Sequence, residues 1–199
     1  MCGPLSAPTI SRLRTLVRKR RNGADDHHTG GVPMSFGLLI LRLLLAAMLC
    51  GHAAQKLLGW FGGAGLVNTA AGFERWGFRP GPRLVVLAGM CELLGAGSVV
   101  LGLLTPGGAA VIIGTMIVAA APSAARGLWA HQGGCEVPVL YAGMGVVLGF
   151  TGPGGWSVDH ALGLTSLSGP AWGAAAVVVG VLAAVPPLLA RHRVLAASR

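Results

Sequence analysis

Five apolar runs divide the chain, most of them close to the length needed to cross a bilayer. A helix rises about 1.5 Å per residue, so roughly 20 apolar residues span the hydrocarbon. The runs predict helices over 38–54, 84–104, 109–121, 137–150 and 171–190. The first, LLILRLLLAAMLCGHAA, carries Arg42 in its first half and runs through His52 toward Lys56. The second is interrupted by Glu92 alone and holds Gly89, Gly95, Gly97 and Gly102, which permit close helix approach. The fourth is short, about 21 Å at the helical rise. Pro186 and Pro187 predict a kink or an end in the fifth, which Arg191, His192 and Arg193 close.

The connections are uneven in character. Residues 57–82 are too polar and glycine-rich to span, yet Leu57, Leu58, Trp60, Phe61, Phe73, Trp76 and Phe78 suit interfacial helices at headgroup depth. Thr105-Pro106-Gly107-Gly108 reads as a tight turn, and 126–136 as a short segment at the interface. Residues 157–170 read as a polar connection containing Asp159 and His160. Trp60, Trp76 and Trp129 fall on one predicted face and Trp156 and Trp172 on the other, as two aromatic belts do.

Composition agrees with this pattern. The 199 residues are 53% hydrophobic and only 11% charged, with 33 glycines, which suits a polytopic all-α membrane protein. The net charge of +9 invites a nucleic-acid reading, but the apolar content and scattered arginines exclude it. Six of the 15 Lys and Arg residues lie in the first 21 positions, a basic tail suited to anionic headgroups. Within it, 10–21 reads either as a short amphipathic helix or as a solvated tail, and Asp25-Asp26-His27-His28 as a polar linker, so no metal is expected. Arg42 inside the apolar run and the long preceding tail argue for an uncleaved anchor over a signal peptide. The positive-inside rule does not decide orientation over the whole chain, and the density of the tail beside the first span makes a cytoplasmic N-terminus the expectation. Cys2, Cys50, Cys91 and Cys135 form no C-x-x-C pair, so spacing gives no zinc or thioredoxin-like motif.

Charges within a span are costly and usually face a partner inside the bundle. If the first span begins near Ser35, Arg42 lies about 10 Å and His52 about 25 Å from that face. Glu92, entering from the opposite face at Arg83, lies about 14 Å in, within reach of Arg42. The expectation is therefore an Arg42–Glu92 pair, with His52 and Lys56 sharing a helix face four residues apart. One reading makes Glu92 and His52 catalytic proton carriers in a pocket completed by Arg42, Lys56, Glu136, Cys91 and Cys135, which binds a quinone headgroup or an anionic sulfur species. The other makes the ion pair a device for helix register while His52 and Lys56 snorkel. A Cys50–Cys91 or Cys91–Cys135 redox pair is a further alternative to buried cysteines acting as small hydrophobes.

The order of several short pieces resembles the DoxX family of small bacterial membrane proteins. These are Arg42, Gly51-His52 and Lys56; Gly77-Phe78; Glu92-Leu93-Leu94-Gly95; Gly133-Gly134-Cys135-Glu136-Val137-Pro138-Val139-Leu140-Tyr141; and Thr151-Gly152-Pro153-Gly154. The resemblance covers roughly 35–160 and implies a four-helix transmembrane bundle in the bacterial plasma membrane. It divides the chain into a basic tail (1–34), a DoxX-like core (35–156), and a connection with an extra C-terminal transmembrane helix (157–199). An aromatic is common in the family where Val137 stands.

Family members include subunits of thiosulfate:quinone oxidoreductase and membrane partners of soluble redox proteins. The resemblance therefore implies a membrane subunit that supports electron transfer between a sulfur or thiol donor, or a soluble redox partner, and quinone. The rival expectation is a non-catalytic scaffold that recruits soluble redox or oxidative-stress proteins through residues 60–83 or the tail.

Overall fold

The computed structural model describes residues 31–198, and every regular element among them is helical. The tail, with its amphipathic segment and Asp25–His28, lies outside the described residues. Helix α1 is Gly31–Leu57, α2 is Gly65–Arg75, α3 is Gly81–Leu101, α4 is Thr105–Ala120, α5 is Glu136–Thr151, α6 is Val158–Ala161 and α7 is Pro170–Ala197. Helices α1, α3 and α7 contain spans long and apolar enough to cross a membrane, and α4 and α5 are shorter apolar helices. This is an all-α, multi-pass membrane protein.

The five long helices alternate in direction. The first face holds the start of α1, the α3–α4 turn, the end of α5 and the start of α7. The second holds the end of α1, helix α2, the α4–α5 connection and the end of α7. Helix α4 is the centre of the bundle and packs on α3, α5 and α7. Its buried residues lie all round, from Thr105 and Pro106 through Ile112 and Ile113 to Met116. Helix α1 instead buries one stripe, Arg42, Leu45, Ala46, Leu49 and Ala53, at the helical period. Leu45, Leu49, Val99, Ile112, Met116 and Leu148 join α1, α3, α4 and α5 in one core.

Small residues let the fifth span close on this four-helix core. Helix α7 buries Gly173, Ala176, Gly180 and Ala184 along one side. A Cβ on Gly180 would stand 2.8 Å from the Ala110 carbonyl oxygen, and one on Gly114 would stand 2.9 Å from that of Gly180. In a bilayer lipid is as apolar as leucine, so helix association rests on such backbone approach rather than on hydrophobic burial.

Three boundaries differ from the sequence expectation. Thr105–Gly108, expected as a tight turn, forms the first turn of α4, while the chain reverses at 102–104. Helix α1 begins at Gly31, before Ser35. Helix α7 continues through Pro186 and Pro187 to Ala197, consistent with the tolerance of prolines in spans where neighbouring helices support the backbone. Its last turns lie against the segment before α3, where Arg191 Nε donates to the Trp76 carbonyl at 2.9 Å. All five tryptophans are exposed at helix ends or in connections.

Candidate functional site

A cavity of about 540 Å³ lies toward the second face, bounded by α1, α3, α4, α5, α7 and the segment after α2. Most of its wall is apolar. Its polar residues include His52, Lys56, Glu92 and Tyr141, with Cys91 on the same cavity. Volume and lining both fall in the range of small-molecule sites, where a few polar groups orient an otherwise apolar guest.

At the polar end Lys56 Nζ donates to Glu92 Oε1 and forms an ion pair with it. The Glu92 side chain is 1% exposed and that of Lys56 23%, so Lys56 is the more accessible partner of the pair. Glu92 Oε2 is buried with no hydrogen-bond partner. An unpartnered oxygen on a buried carboxylate is uncommon and calls for a reason. His52 Nδ1 lies 3.1 Å from Gln55 Oε1. With that oxygen as acceptor, Nδ1 carries the proton and Nε2 is the free ring nitrogen. The His52 ring stands against Tyr141, with centroids 5.5 Å apart.

Arg42 is not part of this site, and the expected Arg42–Glu92 pair does not form. Helical side chains lean toward the N-terminus of their own helix. On antiparallel α1 and α3 this carries Arg42 toward the first face and Glu92 toward the second, so the two diverge. The same lean brings Lys56 and Glu92 together. Arg42 donates to the carbonyls of Val99 at 2.6 Å, Val100 at 2.7 Å, and Pro153 and Trp156 at 2.8 Å each. It is 1% exposed, and its charge meets the negative end of α3.

Beside it, the segment expected to be a polar connection supplies a second buried charge. Asp159 on α6 accepts from Leu104 N at 2.8 Å, Thr105 N at 3.1 Å and Thr105 Oγ1 at 2.9 Å, covering the start of α4. Arg42 and Asp159 thus tie α1, the end of α3, the start of α4, the segment before α6 and α6 itself together at the first face.

Cys135 and Glu136, expected in the pocket, do not line it. Glu136 Oε2 accepts from Ala130 N at 2.8 Å and Cys135 N donates to Gly127 O at 3.1 Å, so both shape the loop leading into α5. Val137 and Pro138, just beyond, do reach the cavity. Cys50, Cys91 and Cys135 are all free, so neither redox pairing is formed. Cys50 is exposed on α1, and Cys91 alone of the three meets the cavity. Among the described residues no group of three His, Cys, Asp or Glu is placed to hold a metal ion.

Residues 37–132 match the family model described as DoxX. This match supports membership of the DoxX family. Comparison with the curated proteins and with the solved structures gives no match. The DoxX segment carries Arg42, His52, Lys56, Cys91 and Glu92, hence the buried Arg42, the Lys56–Glu92 pair and one side of the cavity. Tyr141 and the cavity residues of α7, Ala183 and Pro187, lie beyond it. The cavity is therefore completed by helices C-terminal to the DoxX match.

Proposed function

We propose that this protein is a DoxX-type membrane subunit that supports transfer of electrons from a thiol or sulfur donor, brought by a soluble redox partner, to membrane quinone. The observation that carries the reading is the intramembrane cavity, whose apolar walls end in a compensated Lys56–Glu92 pair. Because Glu92 already neutralises Lys56, an anionic sulfur species would have to displace a buried carboxylate to find its counter-charge. A neutral headgroup needs no such exchange, which favours quinone over an anion at this end.

The residues present fit a quinone headgroup. Lys56 keeps N–H groups beyond the one given to Glu92, and the Tyr141 hydroxyl is a second donor, so carbonyl oxygens have partners there. Quinone, when bound, supplies a two-electron, two-proton acceptor, so that two thiols become one disulfide and quinone becomes quinol. Glu92 is the group suited to hold a proton in transit, since Oε2 has no other partner. His52, oriented by Gln55, is suited to pass one through Nε2. Cys91 on the cavity wall is suited to contact with the headgroup. In this reading the protein sits in the bacterial plasma membrane with its N-terminus in the cytoplasm and the cavity toward the outer leaflet.

Mass spectrometry of the protein purified gently from its native membrane tests this. Stoichiometric quinone, lost in Glu92→Gln and His52→Ala while both variants remain folded, is the expected result. Co-purifying redox proteins without quinone would transfer support to the scaffold. Neither would leave the buried charges as structural devices.

A further inference from the structure

We infer that the apolar end of the cavity is a groove for a polyprenyl chain, with α7 as its outer wall. This rests on the quinone reading of the polar end and names where the rest of such a ligand lies. The cavity is continuous from Lys56 and Glu92 to a cleft formed by Leu84 and Leu87 on α3, Gly114 and Val118 on α4, and Ala183 and Pro187 on α7. Along α4 it extends from Ala110 to Ala119, about 14 Å at the helical rise, longer than a headgroup alone requires. The cleft is mainly apolar, with Thr115 and Ser123 the polar residues on its α4 side, so it suits an apolar chain better than a second polar group.

Helix α7 holds this cleft at a fixed width. Above it, α4 and α7 meet backbone to backbone at Gly114 and Gly180. Below it, Arg191 Nε donates to the Trp76 carbonyl, and its guanidinium stands 5.7 Å from the centre of the Phe78 ring. A Cβ on Gly77 would come within 2.8 Å of Leu195 Cγ. Trp76 and Phe78 also line the cavity, so α7 sets two of its boundaries. The α7 wall therefore belongs to the ligand site although it lies outside the DoxX match.

The test is photolabelling of the full chain in lipid nanodiscs by a quinone that carries a diazirine on its isoprenoid chain. A second probe, the same headgroup with a single isoprene unit, reports the headgroup end independently. Labelling should fall on peptides containing Leu87 and Ala183 and should be suppressed by excess unlabelled quinone. Ala183→Phe and Leu87→Trp, both at exposed positions, should each cut that labelling at least fivefold while the short-chain probe binds within twofold of wild type. Label spread evenly over lipid-facing helices, or label that excess quinone does not suppress, would overturn the groove while short-chain binding upholds the headgroup site. Failure of the short-chain probe to bind would overturn the quinone reading and this inference with it.

Discussion

The Lys56–Glu92 pair predicts an asymmetry between its two partners. Lys56→Met leaves the Glu92 carboxylate buried, with one oxygen already unpartnered and the other newly so. Removing one partner of a buried ion pair costs about 3–5 kcal/mol. At roughly 2–4 °C per kcal/mol for a chain of this size, the melting temperature should fall by about 6–20 °C. Glu92→Gln is milder, because the Lys56 side chain is partly exposed and its flexible stem can carry the ammonium toward the headgroups. Its cost should be about 1 kcal/mol, the scale of one net hydrogen bond. With no carboxylate left to strand, the double variant Lys56→Met/Glu92→Gln should melt near Glu92→Gln alone, a coupling of at least about 2 kcal/mol. Thermal unfolding of all four proteins in one detergent, followed by loss of the monodisperse chromatographic peak, measures this cycle. Equal single effects that add in the double variant would refute a coupled buried pair.

Other expectations follow from the first face and from the α4–α7 contact. Arg42→Lys replaces a planar fork serving four carbonyls with one ammonium that offers three N–H groups, so it should cost about 2 kcal/mol, and Arg42→Met more, in the same unfolding assay. Asp159→Ala removes three hydrogen bonds at the start of α4 and should cost about 2–3 kcal/mol, while Asp159→Asn, which keeps an acceptor oxygen, should lose roughly half as much. Gly180→Val should destabilise by about 1–3 kcal/mol through collision with the Ala110 carbonyl, and protease cleavage between α5 and α7 should accelerate. Gly37→Ala, where a Cβ meets nothing within 4 Å, should be neutral or stabilising by up to about 1 kcal/mol.

The apolar helices and the DoxX resemblance were legible in the sequence because they depend on composition and order. Side-chain pairings were not. Counting helical rise put Arg42 and Glu92 at compatible heights, but height locates Cα atoms and omits the lean of each side chain. That lean reverses between antiparallel helices, and a correction of this kind would have selected Lys56 as the partner. Asp159 was hidden for another reason: an acid in a polar connection has no periodic signature. Ser157 three residues before His160 marks a short helix start, and its hydroxyl does accept from His160 N, yet that signal says nothing of α4. Tyr141, the single tyrosine of the chain, stood within the quoted motif, but only the packing of α5 beside α1 places it against His52.

The protein treats its buried charges in two different ways. At the first face Arg42 and Asp159 meet seven donors and acceptors between them, all from the chain itself, and every contact ties two elements together. Such a fully satisfied arrangement holds an architecture and leaves nothing for a guest. At the other end Lys56 and Glu92 meet each other, leave Oε2 without a partner, and stand on a cavity that structural needs alone would have filled with side chains. The cost of charge in a bilayer is similar at both ends, so the difference lies in what the surroundings were shaped to accept. Incomplete satisfaction beside a cavity is what distinguishes Lys56 and Glu92, rather than Arg42, as the residues on which activity should depend.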